Sequence, residues 1–230
     1  MYKYEMHCHT SVVSLCGRST PEEMVQAFYE AGFAGIVFTD HFIHGNTAID
    51  RSLPWAERMK LYFSAYEGAK KLGKNLGMAV FIGIEHAYGN GKEVLVYGDL
   101  TAEPFIANPS IEKMDIYSFV DFCHKNGWFV AHAHPFRDRN YINLDIPPVM
   151  DNLDGVEIFN FCNKPEENEK AAQCCKELGL IPISGSDTHH VDLCGKAGVA
   201  FDEKIIDPKK FVKALLERKA KLIIDGNIIK

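Results

Sequence analysis

Short apolar runs that end in polar residues, each followed by a segment of helical periodicity, recur along the chain and constrain its fold more than any other feature. Gly35-Ile-Val-Phe-Thr-Asp40 is the clearest run, apolar on both faces as strands buried in a parallel sheet are. Residues 2–9 alternate at a period of two and read as a first strand, and further strands are expected at 78–85, 93–98, 128–133, 155–160 and 181–186. Thr20, Pro21 and Glu23 supply an N-cap, a first-turn proline and a capping-box acid; Met24, Ala27, Phe28 and Ala31 then form one apolar face, and Gly32 ends the helix. Trp55, Met59, Tyr62, Tyr66, Ala69 and Leu72 predict one long helix over 54–72, and helical patterns recur at about 111–125 and 166–178, the last closed by Gly179. Strand and helix in regular alternation predict an α/β fold with a parallel sheet, and about seven units suit closure into a TIM-like barrel, with any site at the C-terminal rim. A chain of 230 residues is ordinary for one such domain, so residues 1–230 are read as a single unit.

The net charge of −6 disfavours broad nucleic-acid binding. The most basic stretch, Lys209 to Lys221, also carries Glu217 and reads as the solvated face of an amphipathic helix. Seven cysteines, odd in number and with no C-x-x-C pair, suit a reducing compartment. With no apolar leader after Met1 and no run of about 18 apolar residues, a cytoplasmic protein without a membrane span is expected.

Eight of the ten histidines, His7, His9, His41, His86, His132, His134, His189 and His190, fall at the predicted C-terminal ends of strands. In a ring of parallel strands those ends share one rim, so residues distant in sequence would meet there. His7-Cys8-His9 at a strand end sends both imidazoles to one face, close enough to share a metal, although such a pair is equally compatible with polar rim residues. Ala131-His132-Ala133-His134 repeats that spacing, and Gly185-Ser186-Asp187-Thr188-His189 sets a carboxylate and an imidazole two residues apart. Glu85 follows an apolar run, where an acid is costly unless a cation meets it; a metal or a Lys or Arg would serve. Of Asp40 and His41, His41 is expected to bind and Asp40 to orient.

Taken in order, H-x-H, T-D-H, a strand-end Glu, H-P and S-D-x-H resemble the polymerase and histidinol phosphatase (PHP) family of metal-dependent phosphoesterases, from His7 to His189. The resemblance implies a distorted (βα)7 barrel with two or three divalent ions. On that mapping His7, His9, Glu85 and Asp187 hold one ion, Glu85 bridges to a second held by His134, and His41 and His189 hold a third. Two positions depart from the family pattern. In the loop after H-x-H, where many members carry His or Asp, stands Ser14-Leu15-Cys16-Gly17, which leaves Cys16 as the only nearby soft ligand; on the strand after the bridging acid stands Glu93 in place of His, an additional oxygen ligand. Imidazole and carboxylate donors suit zinc, manganese or iron.

Such a centre implies hydrolysis of a small phosphorylated metabolite, histidinol-phosphate-like or a nucleotide, with water rather than a side chain as nucleophile. Arg137 is the candidate for gripping phosphoryl oxygens, or else for an ion pair with Asp138 or another acid; Arg18 and Lys196 are lesser candidates. His132 and His190 are candidates to protonate the leaving group or to support a ligand. His44 and His86 are left without a role, and Phe42 to Pro54 is expected to wall the pocket. Two alternatives remain: a non-catalytic metal-binding or regulatory PHP domain, and an amidohydrolase-type hydrolase, which would want a bridging lysine where Glu85 stands.

Overall fold

The computed structural model describes residues 1–229. In chain order it comprises β1 (Tyr2–Glu5), α1 (Pro21–Glu30), β2 (Gly35–Phe38), α2 (Trp55–Ser64), α3 (Glu67–Leu76), β3 (Ala79–Ile82), β4 (Ile84–Gly89), β5 (Lys92–Tyr97) and α4 (Ala102–Ala107). There follow α5 (Ile116–Lys125), β6 (Phe129–His132), β7 (Gly155–Asn160), α6 (Pro165–Leu178), β8 (Ile181–Gly185), β9 (Gly198–Phe201), α7 (Pro208–Leu216), β10 (Lys221–Ile224) and β11 (Asn227–Ile229).

The strands form two mixed sheets, ordered β11-β10-β9-β1-β2-β3 and β4-β5-β6-β7-β8, and no closed barrel is present among the described residues. The expected all-parallel order therefore fails in two places. β4, β5 and β6 pair antiparallel because Asn90 and Gly91, both at positive φ, turn the chain back after β4. β9 runs antiparallel to β1, and β10 and β11 extend that edge. The remaining neighbours, β1 with β2, β2 with β3, β6 with β7 and β7 with β8, are parallel. Isolated bridges of Cys8 with Thr188 and of His41 with Glu85 link the two sheets just beyond the strand ends.

Three segments are more broken than their periodicity predicts. The strand expected over 78–85 divides at Gly83, where a Cβ would meet the Val96 carbonyl oxygen at 2.6 Å, so β3 and β4 enter different sheets. The helix expected over 54–72 is two helices, because the chain leaves helical geometry at Tyr66 (φ −107°, ψ 7°), whose buried hydroxyl donates to Asp40 Oδ2 at 2.7 Å. The pattern at 111–125 resolves into a 3-10 turn at Pro109–Lys113 followed by α5, capped by Asp115. By contrast, α1 carries the full capping box of Thr20 and Glu23, and α6 ends on left-handed Gly179.

The two sheets share one core. Tyr4, Val37 and Phe81 from one and Leu95, Phe129 and Ile183 from the other bury together with Phe211 and Leu215 of α7. The basic stretch is therefore half of a packed helix: its apolar face closes the core while Lys209 and Lys213 remain exposed. A second cluster packs Met24 and Phe28 of α1, Met59 and Tyr62 of α2 and Phe119 and Val120 of α5 over Ile36, Phe38, Ile84, Val94 and Val130. No helix of the described residues is long and apolar enough to cross a membrane.

Phe211 packs edge-on or tilted against Tyr4, Phe81 and Phe201 with ring centroids 5.2–5.5 Å apart. Phe211→Ala should cost about 3–5 kcal/mol of stability, read from urea denaturation, because it empties a site surrounded by rigid rings.

Candidate metal centre

The parallel strands bring their C-terminal ends to one rim, and the reversal at β5 brings its first residues to the same place. His7 and His9 follow β1, His41 follows β2, Glu85 and Glu93 lie near the starts of β4 and β5, His134 follows β6, and Asp187 and His189 follow β8. All eight converge. His7 Nε2 lies 3.1 Å from His9 Nε2, 3.0 Å from Glu85 Oε1 and 3.5 Å from Asp187 Oδ1. His9 Nε2 is 3.2 Å from Asp187 Oδ1, His134 Nε2 is 3.0 Å from Glu85 Oε1, and His41 Nδ1 is 2.8 Å from Glu85 Oε2 and 3.4 Å from Glu93 Oε1. His189 joins through its ring, stacked on His9 at 4.4 Å.

These side chains make four overlapping donor groups: His7, His9 and Glu85; His7, His134 and Asp187; His41, Glu85 and Glu93; and His9, His41 and His189. Whether they suit a cation is a question of charge. Glu85 and Asp187 are almost wholly buried, an arrangement costly without positive partners. Burial alone would raise the Asp187 carboxyl, yet His7 and Arg137 hold it well below the usual carboxylate range. Burial likewise pulls the His7 imidazole down, but Asp187, Glu157 and Glu85 raise it well above its ordinary value. Protons cannot satisfy every member of so tight a cluster: burial and then the neighbouring His41 charge drive His9 down to about 3. Glu85 Oε2 and His41 Nδ1, though 2.8 Å apart, each lack a hydrogen bond. Oxygen and nitrogen donors that carry excess negative charge and are unsatisfied by one another fit divalent cations.

A ring of supporting contacts fixes the donors. Glu157, fully buried on β7, lies 2.9 Å from His7 Nδ1 and accepts from the His134 backbone N–H at 2.9 Å and from Asn160 Nδ2 at 3.0 Å. A proton on His7 Nδ1 then leaves Nε2 free toward the cluster. Gly185 is required beside it, since a Cβ there would come within 2.6 Å of Glu157 Oε1. His134 and Asp187 both hold left-handed backbone (φ 27° and 52°), a conformation that costs side-chain-bearing residues about 1–3 kcal/mol and that surrounding contacts must maintain.

Asp40 faces away from the cluster and is a support, not a donor. It accepts from Thr10 N, Thr10 Oγ1, Ser14 Oγ and Tyr66 OH at 2.6–2.8 Å. Ser14 Oγ in turn lies 3.2 Å from His9 Nδ1 and accepts from the His41 backbone N–H at 3.0 Å.

A cavity of about 880 Å³ opens over the cluster, with Cys16, Arg137, His44, His86 and Tyr141 among its lining residues. Arg137 is buried and committed: Nη2 donates to Asp187 Oδ2 at 2.6 Å and to Asn160 Oδ1 at 3.0 Å, while Nε donates to Asn163. Its ion pair is with Asp187, not Asp138. Two expectations need correction. His132 lies outside this cavity, its Nε2 2.7 Å from Tyr88 OH and its Nδ1 2.8 Å from the Ala133 carbonyl. The strand ends at His132 and the turn at His134 breaks the period of two, so only His134 reaches the centre. His190 pairs with Asp192 at 2.9 Å beside Arg18, in a separate surface depression. Lys196 sits over the Phe161 ring at 5.9 Å.

Sequence reasoning missed Glu157. The signal was available, since an acid inside Gly155-Val-Glu-Ile-Phe-Asn160 breaks an apolar run as Glu85 does.

Residues 165–220 match the sequence model of a family described as PHP-associated. No curated protein sequence matches the chain. Among solved structures, a two-domain protein from Bacteroides vulgatus containing a predicted PHP-like metal-dependent phosphoesterase is 17% identical, over 100% of this chain and 66% of that one, with a TM-score of 0.73. A candidate metal-dependent phosphoesterase from Bifidobacterium adolescentis is 16% identical over 94% of this chain and 96% of its own, with a TM-score of 0.59. An amidohydrolase from Chromobacterium violaceum, with bound sulfate and no metal, is 13% identical over 93% and 96% of the two chains, with a TM-score of 0.58. At these identities the likeness to solved structures is one of fold. The resemblance to the PHP family, carried by the motifs, is met again in the matched segment.

Glu157→Gln keeps the shape of the side chain but removes the charge that orients His7. Metal affinity, measured by competition with a chromophoric chelator, should fall about 10–100-fold.

Proposed function

We propose that the protein is a metal-dependent phosphoesterase that hydrolyses a small phosphorylated metabolite. The observation that carries this reading is the convergence of five imidazoles and three carboxylates, with buried donor atoms left unsatisfied, on the floor of an open cavity. The two bridged sheets are read as the distorted barrel of a single domain, whose rim presents that floor.

His7, His9, Glu85 and Asp187 would hold one ion, and Glu85 with His41, Glu93 and His134 would hold a neighbour. Bound divalent cations supply Lewis acidity toward phosphoryl oxygens and lower the pKa of a coordinated water toward 7. The protein's part is to keep the donors in place before substrate arrives. Glu157 fixes the His7 ring, and Ser14, itself held by Asp40, fixes His9 and the His41 backbone. Arg137 orients Asp187 and adds a fixed positive charge to the cavity wall, where a dianionic ester would otherwise meet mainly carboxylates. The cavity volume lies within the range of small-molecule sites, which favours a metabolite over a polymer.

Protein loaded with manganese or zinc should hydrolyse p-nitrophenyl phosphate, and Asp187→Ala should lower kcat/KM by at least about 10²-fold, or about 2.7 kcal/mol, while leaving the circular dichroism spectrum unchanged. Turnover of an amide probe alone would assign the centre to C–N hydrolysis. Metal uptake without turnover of either class would assign it to a binding domain.

A further inference from the structure

We infer that Glu5 is a positioning residue of the metal centre: one of its carboxyl oxygens locks the segment that carries His7 and His9 to the segment that carries Asp187. The inference deepens the metal-centre reading and rests on it.

Glu5 ends β1, is wholly buried and belongs to none of the four donor groups. Its Oε1 accepts from three backbone N–H groups, those of Met6, His7 and Ser186, each at 2.9 Å. Met6 and His7 are its own neighbours in the chain. Ser186 lies 181 residues away and directly precedes Asp187. The second oxygen, Oε2, is buried with no partner among the described residues, so the carboxyl acts through Oε1 alone.

Sheet pairing does not make this join, because β1 lies inside one sheet and β8 at the edge of the other. The register of β1 with β9 ends at Tyr4 and Val199, and that of β7 with β8 ends at Asn160 and Gly185. Beyond those points buried N–H groups need another acceptor. Glu5 meets three of them at once and so ties the two sheets together just below the rim. On the other side of Asp187, Thr188 N–H donates to the His7 carbonyl at 3.3 Å and His9 N–H donates to the Thr188 carbonyl at 2.9 Å. Asp187 is thereby bracketed, which holds its left-handed backbone (φ 52°) in place.

The consequence falls on donors from opposite sheets. Asp187 Oδ1 lies 3.5 Å from His7 Nε2 and 3.2 Å from His9 Nε2, and a metal site tolerates errors of only about 0.2 Å in its ligand distances. A carboxylate on one sheet can keep such a relation to imidazoles on the other only if the two segments are fixed to one another. Aspartate in place of Glu5 would hold its oxygen one methylene nearer β1 and could not serve the same three N–H groups. Glutamine would keep the accepting oxygen and put its nitrogen where Oε2 bonds to nothing.

Competition between the full chain and a chromophoric chelator for zinc and for manganese provides the test, with circular dichroism to check that each variant is folded. Glu5→Asp should lower metal affinity about 10–100-fold, and Glu5→Gln should restore it to within a few-fold of the unmodified protein. Phe122→Ala, which weakens the fold where that ring packs on Phe105 and Trp128, should leave the affinity of the folded protein unchanged. Unchanged affinity in Glu5→Asp would overturn the assignment, as would an equal loss in Phe122→Ala. A loss in Glu5→Gln as large as in Glu5→Asp would overturn it too, since charge rather than the accepting oxygen would then be at work. A Glu5→Asp chain that does not fold would count the same way, because the three contacts would then serve the fold alone. Each of these results leaves the centre standing; failure of the unmodified protein to bind either metal would overturn the centre and this inference with it.

Discussion

Negative charge held out of water is the constraint on which the rim is built. Glu85, Asp187 and Glu157 are each at most 3% exposed, and a carboxylate in that state is tolerated only when positive charge or several donors meet it. Glu157 meets the demand with donors from His7, His134 and Asn160, and Asp187 meets part of it with Arg137. Glu85 has only imidazoles, which repel one another once protonated. The left-handed backbone at His134 and Asp187, the close approach at Gly185 and the break at Gly83 are all consequences of bringing these groups to one point.

The architecture serves that convergence by mixing strand directions. A strictly parallel arrangement would have sent the start of β5 to the opposite end of the molecule; its reversal delivers Glu93 to the rim. The helices contribute less to chemistry than to closure. α7 packs Phe211 and Leu215 into the core shared by the two sheets, while α1, α2 and α5 pack in a second cluster.

Much of the rim was legible because strand ends carry a simple code. Two imidazoles two residues apart share a face, and the His7 and His9 rings do converge. The same code misled at His132 and His134, since it assumes that the strand continues, and β6 stops one residue after Ala131. β9, β10 and β11 were not read from the sequence at all: they are three or four residues long, too short for an alternation to stand out, and their pairing is set by partners distant in sequence. Glu157 was missed for a different reason. The acid that interrupts its apolar run was a local signal, but which group it supports depends on partners distant in sequence, His7 and the close approach at Gly185.

The break between α2 and α3 places Tyr66 where its hydroxyl meets Asp40, the same carboxylate that steadies Thr10 and Ser14 beneath the imidazoles. One anion thus serves as a keystone for both the helical flank and the rim. A descendant that discarded the chemistry could not simply let Asp40 drift to an apolar residue: it would leave a tyrosine hydroxyl and three other donors stranded. Architecture of this kind slows the erosion of an idle site, because the scaffold inherits an interest in keeping it.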